Sequence, residues 1–341
     1  MLDRTLYLDR VGAFVLDRLA CLRNDYAMNE CTLCQDVCAH HAFVFEQGKL
    51  RLTSLCVACG ACMGSCPSKA LFLYGFSVDN TKHLLLKEGE SVFTCKEHLP
   101  CLGALSVDAW SALLLDASNG FTCNLFECAT CAHNHEDSVY HAIVKRLDEA
   151  NRFVQALGLP QRIRTIKQAL ATPSRRVFFE RLLKLKAQDY TAPTTPLFSL
   201  KQTLKQRLNA TKIVPETFSF IHVKRISKAC DNCKECVQFC PTNALSYHQD
   251  QTKILFQMGK CIGCGICEDI CHKEAISSVE TSYDIVDFAY DKAEVLIAHD
   301  LRVCQTCKCA FSYKGGEMIC ERCGCFEKEH AEMFLLASQS H

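Results

Sequence analysis

The chain lacks net charge, a long apolar run, and the motifs that mark nucleotide or acyl chemistry. Lysine plus arginine and aspartate plus glutamate each total 38, so the formal charge is zero and the molecule offers no general attraction to nucleic acid or anionic membranes. No uncharged apolar stretch reaches the roughly 18 residues of a membrane helix. "LPCLGALSVDAWSALLL" comes nearest, and Asp108 interrupts it. The first twenty residues carry Asp3, Asp9 and Asp17 and lack the apolar core of a secretory signal. There is no G-x-G-x-x-G fingerprint, phosphate loop or nucleophile–base arrangement. These absences set aside membrane spans, nucleic-acid binding and dinucleotide chemistry.

Cysteine, by contrast, is abundant: 27 in 341 residues. Most fall in C-x2-C clusters, too close in sequence for disulfides but well placed to converge on one metal. An odd count also argues against complete pairing. A chain this rich in thiols reads as a cytoplasmic, metal-binding protein from a reducing compartment. Eight cysteines lie in 21–66, five in 95–131, eight in 230–271 and six in 304–325.

The clearest pattern is Cys230-x2-Cys233-x2-Cys236-x3-Cys240-Pro241, then Cys261-x2-Cys264-x2-Cys267-x3-Cys271. Gly263 and Gly265 permit tight loops. This resembles the bacterial two-cluster ferredoxin family, in which the fourth cysteine of each run ligates the other cluster. The resemblance implies one [4Fe–4S] cluster on Cys230, Cys233, Cys236 and Cys271, and another on Cys261, Cys264, Cys267 and Cys240. His272 stands where a second proline is usual. Between the runs, "TNALSYHQDQTKILFQMGK" reads as a helical turn and a hairpin.

Residues 31–66 repeat the design with one piece missing. Cys56-x2-Cys59-x2-Cys62-x3-Cys66-Pro67 is complete, and Gly60 matches Gly265. The same crossover puts Cys56, Cys59, Cys62 and Cys38 on one cluster. Its partner receives Cys31, Cys34 and Cys66, with Met28 where the fourth cysteine should stand. That centre is [3Fe–4S] with three thiolates, or is completed by Met28 or water, or is [4Fe–4S] with Cys21 as fourth ligand. A thioether is a weak ligand there, and the stretch from Cys21 to Cys31 is long enough to reach, so Cys21 is favoured. Its alternative role is a core residue of an N-terminal helix, expected from Leu8, Val11, Val15, Leu19 and Leu22.

The middle cysteines sit in a different setting. "SVFTC" and "FTCNLF" read as strands, "SVDAWSALLLDAS" as a helix stopped at Asn119-Gly120, and a second helix runs from Ser138 to Gly158. The result is a βαβα unit with a parallel pair, similar in outline to the delta iron–sulfur subunit of methyl-viologen-reducing hydrogenases. Cys95, Cys101, Cys128 and Cys131 are its candidate ligands for a further [2Fe–2S] or [4Fe–4S] cluster, with zinc as the alternative. His133, His135 and His141 read as surface histidines. Residues 161–228 hold 15 Lys/Arg against 3 Asp/Glu. They read as a basic linker with short helices around "TAPTTP". Cys304-x2-Cys307 and Cys320-x2-Cys323 read as zinc-ribbon knuckles, with Gly315-Gly316 turning the hairpin between them and Cys309 and Cys325 at equal offsets.

The sequence therefore reads as α+β and multidomain. An N-terminal helix and first ferredoxin-type 2[4Fe–4S] module fill 1–80, the α/β cysteine-rich unit 87–160, and the helical linker 161–224. The second module spans 225–282 and the zinc-ribbon-like unit 283–341. Four [4Fe–4S] clusters, the first alternatively [3Fe–4S], with one further cluster and zinc, make an electron-transfer protein. The resemblance implies a redox partner such as a formate dehydrogenase or hydrogenase. The alternatives are an oxidoreductase subunit with an open-iron cluster, or a redox-sensing or assembly factor.

Overall fold

The computed structural model describes residues 7–78, 81, 92–95, 99–169, 196–208 and 211–329. The chain divides into two units. One comprises 1–222 with 262–264 and 280–291; the other comprises 223–261, 265–279 and 292–341. Among the described residues no helix is long and apolar enough to cross a membrane.

The first unit opens with a correction. The stretch expected to form an N-terminal helix is a hairpin, β1 (Leu8–Val11) against β2 (Phe14–Asp17). Gly12, at φ 58°, makes the turn, and a two-residue loop with a left-handed residue matches the twist of paired strands. The apolar spacing that fits a helix also fits two short strands, and burial of every residue of β2 decides for the strand. A four-residue helix, α1 (Leu22–Asp25), and another, α2 (Leu33–Asp36), precede the hairpin of β3 (Phe43–Glu46) and β4 (Lys49–Leu52). Strand β5 (Leu71–Leu73) pairs antiparallel with β2. Phe14, Leu16, Phe43, Leu50, Leu71 and Leu73 form a core that also takes in Cys21, Cys34 and Cys62.

The middle of this unit is α/β. Strands β6 (Val92–Phe93), β7 (Phe121–Asn124) and β8 (Ile163–Ile166) form a parallel sheet in that order. Helices α3 (Val107–Asp116) and α4 (Ser138–Ala156) connect them. Trp110 is fully buried with its ring centre 6.4 Å from Phe93 and 6.0 Å from Phe121. Gly120 is required at the helix-to-strand turn: its φ is 69°, and a Cβ there would lie 2.2 Å from the Arg162 carbonyl. The expected parallel pair is thus extended by a third strand, drawn from the stretch read as a linker. Residues 170–195, including most of "TAPTTP", lie outside the described residues. Beyond them α5 (Pro196–Arg207) packs on α3, burying Leu200 and Leu204 completely. Strand β9 (Ile213–Val214) pairs with the later Tyr283–Asp284, and Asp284 caps the short helix Ile285–Ala289 through the Val286 N–H.

In the second unit β10 (Val223–Ile226) pairs antiparallel with Ile276–Val279. Strands β11 (Leu245–Tyr247) and β12 (Lys253–Gln257) form the expected hairpin, which Ala293–Ala298 extends. Leu301–Val303 pairs with Ala310–Ser312. Their turn is therefore the Cys304–Cys309 knuckle itself, closed by the Cys304 N–H on the Cys309 carbonyl at 2.9 Å. Gly315 and Gly316, at φ 100° and 85°, lie beyond that hairpin rather than at its tip.

Candidate iron–sulfur sites

The three complete cysteine runs share one backbone. Two residues after the first cysteine the chain is left-handed, at Ala58 (φ 56°), Asn232 (65°) and Gly263 (66°). Directly after the second cysteine it is left-handed again, at Gly60 (76°), Lys234 (77°) and Gly265 (76°). Such reversals turn successive N–H groups to one side and make a concavity suited to an anionic group. The Ala58 N–H, for instance, donates to Cys56 Sγ at 3.4 Å. The third cysteine then lies in a single helical turn, at Cys236 and Cys267, or at its N-cap, at Cys62.

All four runs, the incomplete one included, end alike. The fourth cysteine accepts a backbone N–H from the alanine four residues on. The pairs are Ala42 to Cys38 at 3.5 Å, Ala70 to Cys66 at 3.3 Å, Ala244 to Cys240 at 3.2 Å and Ala275 to Cys271 at 3.2 Å. The preceding residue is left-handed each time: His41, Lys69, Asn243 and Glu274. The sequence signal, C-x3-A in "CAHHA", "CPSKA", "CPTNA" and "CHKEA", escapes a reading focused on cysteines alone. Where the incomplete run departs is at its start. Cys21 is buried at the N-terminus of α1, whereas Met28 is 71 % exposed.

Thiols of the first module lie close to one another, and so do four of the second. Burial raises the Cys34 pKa, and the nearby Cys66, Cys21 and Cys31 raise it further. Burial likewise raises Cys21, with Cys66 and Cys31 among its neighbours. Cys62 is pushed well above the usual thiol range by burial and by Cys59, Cys34, Cys38 and Cys56. In the second unit Cys230, Cys233, Cys236 and Cys271 line one cavity with Ile226, Ile254 and Ile276. Cys236 there is pushed up to about 12, chiefly by burial. Buried thiols held neutral in this way become thiolates only when a cation arrives. Four sulfurs and an apolar lining fit a [4Fe–4S] cluster, which when bound supplies one-electron redox chemistry.

Comparison with known proteins agrees with this geometry. Residues 229–276 match the 4Fe-4S dicluster domain family, and residues 52–72 match the 4Fe-4S binding domain family. This is a protein with ferredoxin-type 4Fe-4S domains. It is also 35 % identical over 86 residues to the archaeal-type glutamate synthases [NADPH] of Thermotoga maritima and of Thermotoga sp. strain RQ2. The matched stretch covers 25 % of this chain and 16 % of those relatives.

The chain carries two further cysteine groups. Cys101 precedes the turn Leu102–Ala104 and accepts the Gly103 N–H at 3.3 Å. Its pKa is raised to about 12 by burial, with Cys59, Cys128 and Cys95 close enough to add to the shift. Cys128 is raised to about 11 by burial, then by Cys95 and Cys131. Cys95, Cys101, Cys128 and Cys131 thus gather beside the sheet, while Cys123 is a fully buried core residue of β7. His133 departs from expectation: it is half-buried, with Nδ1 2.8 Å from His40 Nε2. His135 and His141 are exposed, as expected.

Cys304, Cys307, Cys320 and Cys323 bring their sulfurs within 4.8 Å of one another. Cys307 Sγ and Cys320 Sγ are 3.8 Å apart. A tetrahedron with metal–sulfur bonds of about 2.3 Å has edges of about 3.8 Å, so this group fits a single ion. N–H groups of Cys320 and Cys307 hold the Cys304 thiol down to about 6, which favours the ligating form. Cys309 and Cys325 are exposed.

Three basic side chains near the sulfurs escaped the sequence reading because nothing local marks them. His299 is buried between Ser312 Oγ, 2.8 Å away, and Cys230 Sγ, 3.7 Å away. Lys224 is buried, bonded to Glu268 and to Ser278 Oγ, with Cys267 among the groups that keep it charged. Arg146, on α4, is buried with its guanidinium on the Gly103 carbonyl at 2.8 Å and on Ser65 Oγ.

Proposed function

We propose that this protein is a polyferredoxin that relays single electrons to or from a partner oxidoreductase. Four [4Fe–4S] clusters sit on Cys21/Cys31/Cys34/Cys66, Cys38/Cys56/Cys59/Cys62, Cys230/Cys233/Cys236/Cys271 and Cys240/Cys261/Cys264/Cys267. Cys95, Cys101, Cys128 and Cys131 hold a fifth centre, [2Fe–2S] or [4Fe–4S]. Cys304, Cys307, Cys320 and Cys323 hold structural zinc. The observation that carries this reading is the fourfold repeat of a cysteine run ending in the same N–H···S cradle. The gathering of Cys21 with Cys31, Cys34 and Cys66 favours a fully ligated first cluster over one with an open iron.

The partner class is a formate dehydrogenase, a hydrogenase or a similar oxidoreductase. The glutamate synthase relatives add an NADPH-linked enzyme to that class. The test is anaerobic purification with iron, sulfide and zinc quantification and EPR of the reduced protein. The expected yield is about 18–20 irons with matching labile sulfide and about one zinc per chain. Zinc with no labile sulfide would overturn the reading.

A further inference from the structure

Within the first unit, the loop of the first module's complete run and the loop after Cys101 meet backbone to backbone. A Cβ on Gly64 would lie 2.4 Å from the Leu105 carbonyl oxygen and 2.6 Å from that of Gly103. A Cβ on Gly103 would lie 3.0 Å from the Ala61 carbonyl oxygen. Gly64 lies between Cys62 and Cys66, and Gly103 donates to Cys101 Sγ. Two further contacts bind the same surfaces. Lys69 Nζ reaches Ser106 Oγ at 2.9 Å and Asp108 Oδ1 at 3.3 Å, and the His40 and His133 rings meet at 2.8 Å. Glycine at both faces keeps side chains out of the gap, so two centres there approach as closely as their ligand loops allow.

Arg146 closes this contact. It is 8 % exposed, and its two nitrogens reach the Gly103 carbonyl on one side and Ser65 Oγ on the other. Among the described residues no carboxylate pairs with it; Lys224 in the second unit, also buried, has Glu268. An unpaired buried cation is costly, and its nearby anions are ligands. Burial pushes the Arg146 pKa down while Cys101 and Cys62 hold it up. Four thiolates outweigh the positive charge of an iron–sulfur core, so each liganded cluster is an anion that a guanidinium can balance.

We infer that Arg146 is the shared counter-ion of two adjacent iron–sulfur centres, those of Cys38/Cys56/Cys59/Cys62 and Cys95/Cys101/Cys128/Cys131, and that electrons pass between them across the Gly64–Gly103 contact. One centre is oxidised by one electron as the other is reduced by one, with no bond made or broken. The cation stabilises the added negative charge in either reduced centre, so it raises both potentials. The inference rests on the reading that the middle four cysteines hold a cluster.

The test is an EPR-monitored redox titration of the full chain with Arg146→Gln and Arg146→Lys, after an iron and sulfide count. With Arg146→Gln both midpoint potentials should fall by at least the equivalent of a tenfold loss in reduction constant, about 59 mV for one electron. Arg146→Lys should restore most of that loss, which a purely structural role would not do. Full iron content with unmoved potentials, or equal shifts in both variants, would overturn the inference. Should Arg146→Gln lose iron, the fully reduced protein with Arg146 intact decides. First-module signals that sharpen when Cys95→Ser with Cys128→Ser removes the middle centre support the inference, and first-module signals unchanged by that removal overturn it. A wild-type count of only about 16 irons would instead remove the fifth centre itself, and with it this coupling.

Discussion

At the scale of single residues, Cys21 is the proposed substitute at the corner left by Met28. Cys21 is buried beside Cys31, Cys34 and Cys66, while the Met28 side chain faces solvent. Changing Cys21 to Ser should convert one four-iron EPR signature to a three-iron one, with about one iron lost per chain. Met28→Ala should leave the spectrum as it was. Backbone angle matters at the same scale. Gly60 has φ 76°, and a Cβ there would lie 2.8 Å from Leu73 Cδ1. Gly60→Ala should cost about 1–2 kcal/mol for the left-handed angle alone, read as a lower midpoint in anaerobic denaturant titration. Lys234 and Asn232 adopt comparable angles with side chains in place, so the angle alone does not demand glycine.

At the scale of elements, two readings of one pattern had to be separated by packing. Leu8, Val11 and Val15 fit a helical stripe, yet the chain pairs as β1 and β2 because β5 supplies a partner edge from residues 71–73. No window around residue 15 contains that information. The helices of the middle unit were legible because each has a long apolar period, a serine or aspartate at its start and a glycine beyond its end. Helix α3 buries Trp110 between Phe93 and Phe121. Trp110→Ala should therefore cost about 3–5 kcal/mol, measurable as a fall in thermal midpoint together with loss of the middle unit's protection in hydrogen exchange. The third strand, β8, was hidden because its basic surroundings read as a linker and its parallel partner lies some forty residues away.

For the whole molecule, the proposed clusters and the proposed zinc site imply two kinds of response to metal removal. The C-terminal knuckles hold their sulfurs at single-ion spacing, with 3.8 Å between Cys307 and Cys320. A zinc chelator under anaerobic conditions should release about one metal ion per chain and open the Leu301–Ser312 hairpin, since such small sites fold with their metal. The charge-transfer absorbance of the clusters should persist, and its loss in step with zinc would contradict separate sites. An iron chelator applied after oxidation should do the converse, bleaching the absorbance while the hairpin keeps its exchange protection.

By itself the sequence determined the cysteine runs and the class of chemistry, because the leading thiolates of a run are a short-range feature: a few cysteines at set spacing on loops that must turn. It also determined the helices and the two longer-spaced strands of the middle unit, whose apolar periods are local. Tertiary structure decided what depends on neighbours distant in the chain. It buried Cys21 near Cys31, Cys34 and Cys66 and left Met28 exposed, paired β2 with β1 and β5, and brought the Cys101 loop against Gly64. It also buried Arg146 between two ligand loops, a position that no spacing along α4 foretells, because a cation's partner is set by which anions the fold brings within reach.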